Sequence, residues 1–334
     1  MTRKAKKAGR FALLLSLLLC LSACSTAPQE PPAPEEKLIS VGFSQVGTES
    51  DWRVANTASM ESALSAENGY RLDLRYAQQK QEQQIVDLYK FINQGVDYIV
   101  LAPTTERGWE TILSRVRDSG IPVIIVDRMI EIEDESLFTC WVGSDFRQEG
   151  KTAVEWMEKT FADQPLNIIH LQGNIGSSAQ IGRTEGLDEG LKAHDNWTLA
   201  FRQSGDFTQA KGQELVEEVI EKGLLDRSGN TINVIYSEND NMSYGAIDAL
   251  KKAGLTPGKD VYIISFDAAS TALRLVLKGE IAYDVECNPL HGPRVKNLIE
   301  QLKEGKTPPK YTYVEETAFS QDNLTEELIS TRGY

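Results

Sequence analysis

From Leu38 onward, short apolar runs rich in β-branched residues alternate with segments of helical periodicity. The runs lack alternating polar residues, which is typical of strands buried on both faces of a parallel sheet. Between them, apolar residues recur at helical spacing, as in Ile85, Leu88 and Ile92. This βαβα order predicts an α/β protein. The predicted strands span residues 39–43, 72–76, 98–101, 123–126, 167–171, 234–236 and 261–264.

The alternation is interrupted at Gly143-Ser144-Asp145, and a second series of similar length then continues as far as Val285. A chain of 334 residues fits roughly two domains of about 150 residues each. We therefore expect two doubly wound parallel-sheet lobes. The tail beyond Asn288 has a helix pattern and a strand candidate at 311–314, which can complete either lobe.

The first residues predict export. A basic stretch precedes an apolar run from Phe11 to Leu21, about half of the ~20 residues that a membrane-spanning helix needs, so residues 1–23 form a signal peptide. The run ends in Leu21-Ser22-Ala23-Cys24, which resembles the lipobox of bacterial lipoproteins. Cys24 is the predicted lipidation site, and the proline-rich residues 24–37 form a flexible linker. An ordinary signal-peptidase site with an incidental cysteine is the alternative.

The charge and the cysteines restrict the partners and the compartment. The net charge is −14, and residues 1–23 contribute five cations and no acid, so the exported part is more acidic still. Such a surface repels polyanions, which excludes nucleic acid as a partner. Outside the signal peptide and Cys24, two cysteines remain, Cys140 and Cys287. They either pair as a disulfide or stay as two buried thiols.

Polar residues directly after the predicted strands suggest a binding site. In open α/β sheets, ligands bind beyond the carboxyl ends of the strands. Carboxylates, amides and guanidiniums beside an indole are the groups that hold a neutral polyol. Individually, Asp127 and Arg128 could be a surface pair, Trp52 a core residue and Asn239 a turn former. The residues at or just beyond strand ends are Ser44, Trp52, Arg53, Asp127, Arg128, Arg183, Asn239 and Asp267.

Motifs for chemistry are scarce. The chain has three histidines and neither an H-E-x-x-H nor a G-x-S-x-G motif. The glycine-rich loop from Gly173 to Gly182 lacks the Lys-Ser/Thr of a P-loop. We therefore predict no catalytic residue, no metal and no cofactor, with an exported enzyme as a remaining alternative.

Several longer stretches resemble the ribose-type (class B) sugar-binding proteins of bacterial ABC importers, and among them most closely those that bind galactofuranose. The resemblance extends from Leu38 to the terminal Gly333-Tyr334. The matching stretches are VGFSQVGTESDWR (41–53), AQQKQEQQI (77–85), GVDYIVLAP (95–103), GWE (108–110), IPVIIVDR (121–128), LQGNIG (171–176), Arg183, SGDF (204–207), NDNM (239–242) and GLTPGKD (254–260).

The resemblance implies a type I periplasmic binding protein fold, with a hinge of three crossings near Ser144, 286–288 and 315–316. The implied lobes are 38–143 plus 288–315 and 144–287 plus 316–334. Phe207 joins the site in the second lobe, and Glu286 matches a polar hinge residue. This sequence departs from the family in its lipobox and in Ala268, because a glycine commonly follows the acid at Asp267.

The implied function is capture of a monosaccharide, galactofuranose or a similar sugar, by lobe closure and its delivery to an ABC permease. The protein would be a monomer outside the cytoplasm, held to the cell membrane through its lipid alone, at the cell surface or in a periplasm. The alternative is a sensory lipoprotein that presents its ligand to a membrane sensor kinase. A cytoplasmic repressor shares such lobes, but this chain begins with an export signal instead of a DNA-binding headpiece.

Overall fold

Two six-stranded sheets organise residues 37–334, the part of the chain that this computed structural model describes. The predicted signal peptide, Cys24 and the linker up to residue 36 lie outside the described residues. In chain order the strands are β1 (Ile39–Gln45), β2 (Tyr70–Tyr76), β3 (Tyr98–Leu101), β4 (Val123–Val126), β5 (Cys140–Gly143), β6 (Leu166–Gln172), β7 (Trp197–Ser204), β8 (Ile232–Ser237), β9 (Tyr262–Asp267), β10 (Tyr283–Glu286), β11 (Tyr311–Tyr313) and β12 (Ala318–Phe319).

Both sheets have the strand order of doubly wound folds. The first sheet runs β11-β5-β4-β3-β1-β2, and all of its neighbouring strands are parallel. The second runs β12-β10-β9-β8-β6-β7 and is parallel except at β12, which pairs antiparallel with β10. The predicted architecture of two parallel-sheet lobes is confirmed, with one antiparallel strand at the edge of the second sheet.

Helices cover both faces of each sheet, which explains the unbroken apolar runs. In β4, Ile124 and Val126 belong to one apolar core, while Val123 and Ile125 belong to the core on the opposite face. Every position of such a strand must therefore be apolar. The helices are α1 (Asp51–Ala63), α2 (Gln81–Gln94), α3 (Glu110–Asp118), α4 (Phe146–Phe161), α5 (Ser178–Ala193), α6 (Gln209–Glu221), α7 (Asp240–Lys252), α8 (Ser270–Leu277), α9 (Gly292–Lys303) and α10 (Glu326–Thr331).

The chain passes between the two sheets three times. It leaves the first sheet after β5 and returns to it after β10, where α9 packs on α1. The third passage lies between β11 in the first sheet and β12 in the second. These passages bring the carboxyl ends of the two sheets to face one gap.

The predicted strands correspond to those observed, and two of them, 98–101 and 123–126, have the same bounds. The strand candidate at 311–314 becomes β11. Four observed strands, β5, β7, β10 and β12, were not predicted. Strand β7 lies at a sheet edge and mixes buried with exposed residues, so it lacks the apolar run used to find the others.

Cys140 and Cys287 are both buried free thiols, which decides between the two alternatives left open by the sequence. Burial raises the pKa of Cys140 to about 11 and also raises that of Cys287. Within residues 37–334, no helix combines the length and the apolar character needed to cross a membrane.

Candidate functional site

A cavity lies at the carboxyl ends of the two sheets. The space open to the centre of a water-sized sphere is about 30 Å³, room for about two waters, so its walls must move apart to admit a larger ligand. Eight of the ten predicted ligand-binding residues line this cavity. The lining residues are Glu49, Ser50, Trp52, Arg53, Asp127, Arg128, Phe146, Ala179, Arg183, Phe207, Asn239, Asp267 and Cys287.

The start of α1 supplies one wall. Ser50 caps this helix by accepting a hydrogen bond from the backbone N–H of Arg53, so two consecutive residues, Trp52 and Arg53, are fixed in its first turn. The indole Nε1 donates to the carbonyl oxygen of Cys287 at 2.7 Å. The Arg53 guanidinium lies 4.6 Å from the centre of the indole ring. Trp52 therefore contributes to the core and also presents an aromatic surface to the cavity.

Arg53 is held by two acids. Its Nη1 donates to Asp127 Oδ2 at 2.8 Å, and its Nε donates to Glu49 Oε1 at 3.3 Å. Burial alone would lower the pKa of Arg53, but the charges of Asp127 and Glu49 raise it. Asp127 follows β4 and has a φ of 62°. A Cβ at Gly143 would lie 2.2 Å from the carbonyl oxygen of Asp127, so this turn requires a glycine on the neighbouring strand.

Arg128 is buried without an acidic partner among the described residues. Its Nη1 donates to the Thr104 carbonyl oxygen at 3.2 Å, and its Nη2 donates to Asn174 Oδ1 at 3.4 Å. Burial, together with the nearby charge of Arg53, lowers the pKa of Arg128 to about 10. A desolvated guanidinium of this kind is stabilised by any oxygen-rich group that enters the cavity.

The second lobe provides Arg183 and Asp267. Arg183 Nε donates to Glu149 Oε2 at 2.7 Å, Nη2 to Asp267 Oδ1 at 3.5 Å, and Nη1 to the Glu238 carbonyl oxygen. Burial raises the pKa of Glu149 and of Asp267, and this effect outweighs the attraction of Arg183. The Phe266 ring centre lies 4.9 Å from the Arg183 guanidinium carbon.

Phe207 faces Arg128 from the second lobe, with its ring centre 5.4 Å from the guanidinium carbon. Asn239 caps α7 by accepting from the Met242 N–H, while its Nδ2 donates to the Phe207 carbonyl oxygen at 3.2 Å. The Phe207 ring packs directly over Gly173, where a Cβ would come within 1.8 Å of it. Asn239 therefore combines the turn-forming role left open by the sequence with a place in the cavity wall.

The lining combines three guanidiniums (Arg53, Arg128 and Arg183) with three carboxyl groups (Glu49, Asp127 and Asp267). Hydrogen-bond donors and acceptors therefore both face the cavity. A neutral molecule with several hydroxyls can accept from the guanidiniums and donate to the carboxylates. Trp52, Phe207 and Phe146 add aromatic surface to the lining, which suits contact with C–H groups.

Comparison with known proteins assigns this architecture to a family. The family model described as "Periplasmic binding protein domain" matches residues 41–291. This chain belongs to the periplasmic binding protein family. Its relatives are binding proteins rather than enzymes.

Relatives of this periplasmic binding protein cover nearly its whole length. The galactofuranose-binding protein YtfQ of Escherichia coli (strain K12) is 38% identical over 93% of this chain and 96% of its own. A crystal structure of a galactofuranose-binding protein is 38% identical, with a TM-score of 0.83 over 89% of this chain and 100% of that one. The binding protein of the arabinose ABC transporter of Shewanella sp. ANA-3, bound to α- and β-L-arabinofuranose, is 34% identical, with a TM-score of 0.81, and covers 88% and 95%.

Two predicted site residues of this periplasmic binding protein, Ser44 and Glu286, do not line the cavity. Ser44 lies within β1, and its Oγ donates to Asp87 Oδ2 at 3.2 Å. Glu286 forms hydrogen bonds with residues near the end of the chain. Arg332 Nη2 and the Tyr334 hydroxyl donate to its Oε1 at 2.9 and 2.7 Å. Both side chains are buried and engaged with other residues.

Five lining residues were not predicted as ligand contacts: Glu49, Ser50, Phe146, Ala179 and Cys287. Glu49 and Ser50 lie in the loop before Trp52. The nearness of the acid Glu49 to the predicted residues Trp52 and Arg53 could have indicated it as a further lining residue. Phe146 and Ala179 begin α4 and α5, and their place in the wall depends on how the lobes meet. No local sequence pattern indicates them.

Direct hydrogen bonds join the two lobes of this periplasmic binding protein around the cavity. The Asp51 N–H donates to Asn241 Oδ1 at 3.0 Å, and the Met129 N–H donates to Ser178 Oγ at 2.9 Å. The Glu106 N–H donates to the Gly176 carbonyl oxygen at 2.9 Å. Asp127, Arg128 and Asp267 are accordingly at most 5% exposed. These bonds must break before any ligand can enter.

Proposed function

We propose that this chain is the extracytoplasmic substrate-binding lipoprotein of an ABC sugar importer, and that it captures one monosaccharide between its lobes. The bound sugar is galactofuranose or a similar furanose. The observation that carries this proposal is the closed cavity with three guanidiniums, three carboxylates and aromatic rings in its wall. It suits a neutral ligand covered with hydroxyls.

The relatives support a furanose ring. A curated relative and a solved structure are each named for galactofuranose, and another solved structure is described as bound to arabinofuranose. These three share 34–38% identity with this chain over most of its length. Because each buried charged group left without a sugar hydroxyl would be unpaired, the site is expected to select hydroxyl stereochemistry more strongly than hydrocarbon bulk.

In this proposal, the moving bodies are 38–143 plus 288–315 and 144–287 plus 316–334. The sugar binds to the open form and favours the closed form, because only closure gives it both walls. Trp52, Arg53, Asp127 and Arg128 contact it from the first lobe. Arg183, Phe207, Asn239 and Asp267 contact it from the second.

The proposal also places the protein outside the cytoplasm as a monomer, with Cys24 lipidated and the lobes docking on permease subunits. The acidic net charge of −14 and the mixture of hydrogen-bond donors and acceptors in the cavity wall agree with a sugar as the ligand. No cofactor is required, because capture and release involve no covalent step.

A thermal-shift screen of the chain from residue 24, carrying Cys24→Ser to avoid lipidation, tests the proposal. The panel contains D-galactose, L-arabinose, D-ribose and D-fructose, with methyl galactofuranoside and methyl galactopyranoside to separate the ring forms. A sugar at 100 times its Kd adds about 2.7 kcal/mol to the free energy of unfolding, which raises Tm by several degrees. An unchanged Tm with every sugar would overturn the proposal.

Transport is tested separately from binding. Deletion of the gene is expected to abolish uptake of the radiolabelled sugar that binds, and the wild-type gene is expected to restore it. Normal uptake combined with a lost transcriptional response to that sugar would favour presentation to a sensor kinase.

A further inference from the structure

Two buried carboxylates, Asp240 and Asp284, lie against each other behind the cavity wall. Asp240 is the first residue of α7, and Asp284 is the second residue of β10. Neither lines the cavity, and each is at most 1% exposed. Asp240 Oδ2 and Asp284 Oδ1 accept from the N–H groups of two successive residues, Ala269 and Ala268, so the two carboxyl groups lie side by side. Two neighbouring buried carboxylates cannot both be ionised at low cost, so the pair holds at least one proton.

The donors around this acid pair are too few for two anions. Asp240 Oδ1 accepts from Ser265 Oγ at 2.7 Å, and its Oδ2 accepts from the Ala269 N–H at 2.8 Å. Asp284 Oδ1 accepts from the Ala268 N–H at 3.2 Å. Asp284 Oδ2 is buried without a donor among the described residues. A proton shared between Asp284 Oδ2 and the Asp240 carboxyl group supplies the missing hydrogen bond.

Few other ionisable groups face the pair. Asp267 approaches from the end of β9, Tyr244 from α7, and Arg332 from the segment after α10. Arg332 donates to Glu286 at 2.9 Å, and the Tyr244 hydroxyl is buried without a partner in the described chain. Burial raises the pKa of both acids, and the charge of Asp284 raises that of Asp240 further. For Asp284, the charge of Asp267 adds to the effect of burial while the hydrogen bonds to Asp240 and Ala268 oppose it, and the pKa is about 8.

The pair holds the backbone that directs Asp267 into the cavity. Its two backbone bonds come from Ala268 and Ala269, the residues directly after Asp267. Asp267 and Ala268 have φ values of 107° and 55°, a region that side chains other than glycine occupy only at a cost. Because neither residue is a glycine, the strained turn depends on these anchors.

We infer that Asp240 and Asp284 are positioning residues that share one proton and hold the Asp267–Ala269 turn, so that sugar affinity depends on that proton. The inference rests on the proposed function, since Asp267 belongs to the same site. Loss of a proton from the pair at alkaline pH adds a buried negative charge next to Asp267. The turn is then expected to shift, and the affinity for the sugar to fall.

Asp284→Asn and Asp284→Ala separate the outcomes. The asparagine Nδ2 donates to Asp240 as the shared proton does, and its Oδ1 still accepts from Ala268. We measure the Kd of L-arabinose and D-galactose by calorimetry, and urea unfolding without sugar, both from pH 6 to 9.5. Asp97→Asn is the matched control, because Asp97 accepts from the Ser40 N–H at 2.7 Å before β3, at the end of the sheet away from the cavity.

In the wild type, the Kd is expected to rise at least fivefold between pH 7 and 9.5, and the free energy of unfolding to fall over the same range. Asp284→Asn is expected to retain the neutral-pH Kd and to lose both alkaline changes. Asp284→Ala is expected to weaken binding by about tenfold at pH 7, because it leaves the Ala268 N–H unpaired. Asp97→Asn is expected to lower stability alone.

If the Kd and the free energy of unfolding of Asp284→Asn changed at alkaline pH as they do in the wild type, the inference of a shared proton would be overturned. An Asp284→Ala variant that folds and binds as tightly as the wild type would overturn the positioning role. If the wild type binds neither these sugars nor any other member of the panel, the proposed function fails, and so does the link to affinity. The unfolding profiles without sugar still decide whether the proton is shared.

Discussion

Replacing Arg128 with methionine is expected to stabilise the unliganded protein and to weaken sugar binding. Arg128 is 2% exposed, and its hydrogen-bond partners within residues 37–334 are a carbonyl and an amide oxygen. Methionine keeps much of the apolar length of the side chain and removes the buried charge. A residue that binds ligand but destabilises the unliganded fold lowers stability in exchange for ligand affinity.

The size of the effect follows from the cost of burying the charge. Burial lowers the pKa of Arg128 from 12.5 to about 10, and a tenfold change in a protonation constant corresponds to about 1.4 kcal/mol. Keeping Arg128 charged thus costs the folded state about 3 kcal/mol at any pH well below 10, and the cost declines as the pH rises through 10. Losing the hydrogen bond to Thr104 offsets about 1 kcal/mol. The net gain in the free energy of unfolding is about 1–2 kcal/mol.

Arg53→Met is the matched control, because Arg53 is equally buried but is paired with Asp127 and Glu49. Its removal leaves two buried acids without their cation and is expected to cost about 3–5 kcal/mol. Both variants lose a charged hydrogen-bond donor to the sugar, worth about 1.5–3 kcal/mol. Their Kd values should therefore rise by at least about tenfold.

Urea unfolding at pH 7 without sugar and calorimetric titration with the sugar found in the screen provide the two readouts. The expected result is opposite changes in stability and parallel losses in affinity. If Arg128→Met destabilised the protein as much as Arg53→Met, the reasoning about the unpaired buried charge would be refuted. Wild-type affinity in both variants would remove these residues from the proposed site.

The remaining predictions concern one acid in the cavity, the hinge and the anchor. Asp267→Asn is expected to raise the Kd at least about tenfold without lowering Tm, because burial raises the pKa of Asp267; a large fall in Tm would contradict this. Burial raises the pKa of Glu316 to about 7, so its stabilising effect is complete below its unfolded pKa near 4.5 and is lost as the pH rises through 7. Glu316→Gln should remove that part of the pH dependence in unfolding experiments, and an unchanged profile would refute it. Cys24→Ala should release the protein from the membrane fraction on immunoblots, and retention there would argue against the lipid anchor.

The fold could be predicted from the sequence because strands that are buried on both faces consist of unbroken apolar runs. Residues 123–126 face two cores in alternation, so no polar residue interrupts the run. Strand β7 has no such apolar run, because it lies at a sheet edge and is partly exposed. The two-residue strand β12 is too short to carry a pattern, and its pairing with β10 depends on the returning chain.

The site could be predicted in part, for a different reason. Asp127 and Asp267 directly follow or end parallel strands, and the carboxyl ends of such strands converge. Glu286 obeys the same rule but is not in the cavity wall, because Arg332 and Tyr334 reach it from the end of the chain. That contact joins positions more than forty residues apart and leaves no local signal. The same holds for Phe146, whose place depends on how the lobes meet.

A co-crystal structure with the sugar that gives the largest thermal shift tests whether the cavity is the sugar-binding site. We expect one furanose ring in the cavity between Trp52 and Phe207, with hydroxyls within about 3.2 Å of Asp127, Arg128 and Asp267. A sugar bound on the outer surface, or a ring in the cavity with no hydrogen bond to any of these three side chains, would contradict it.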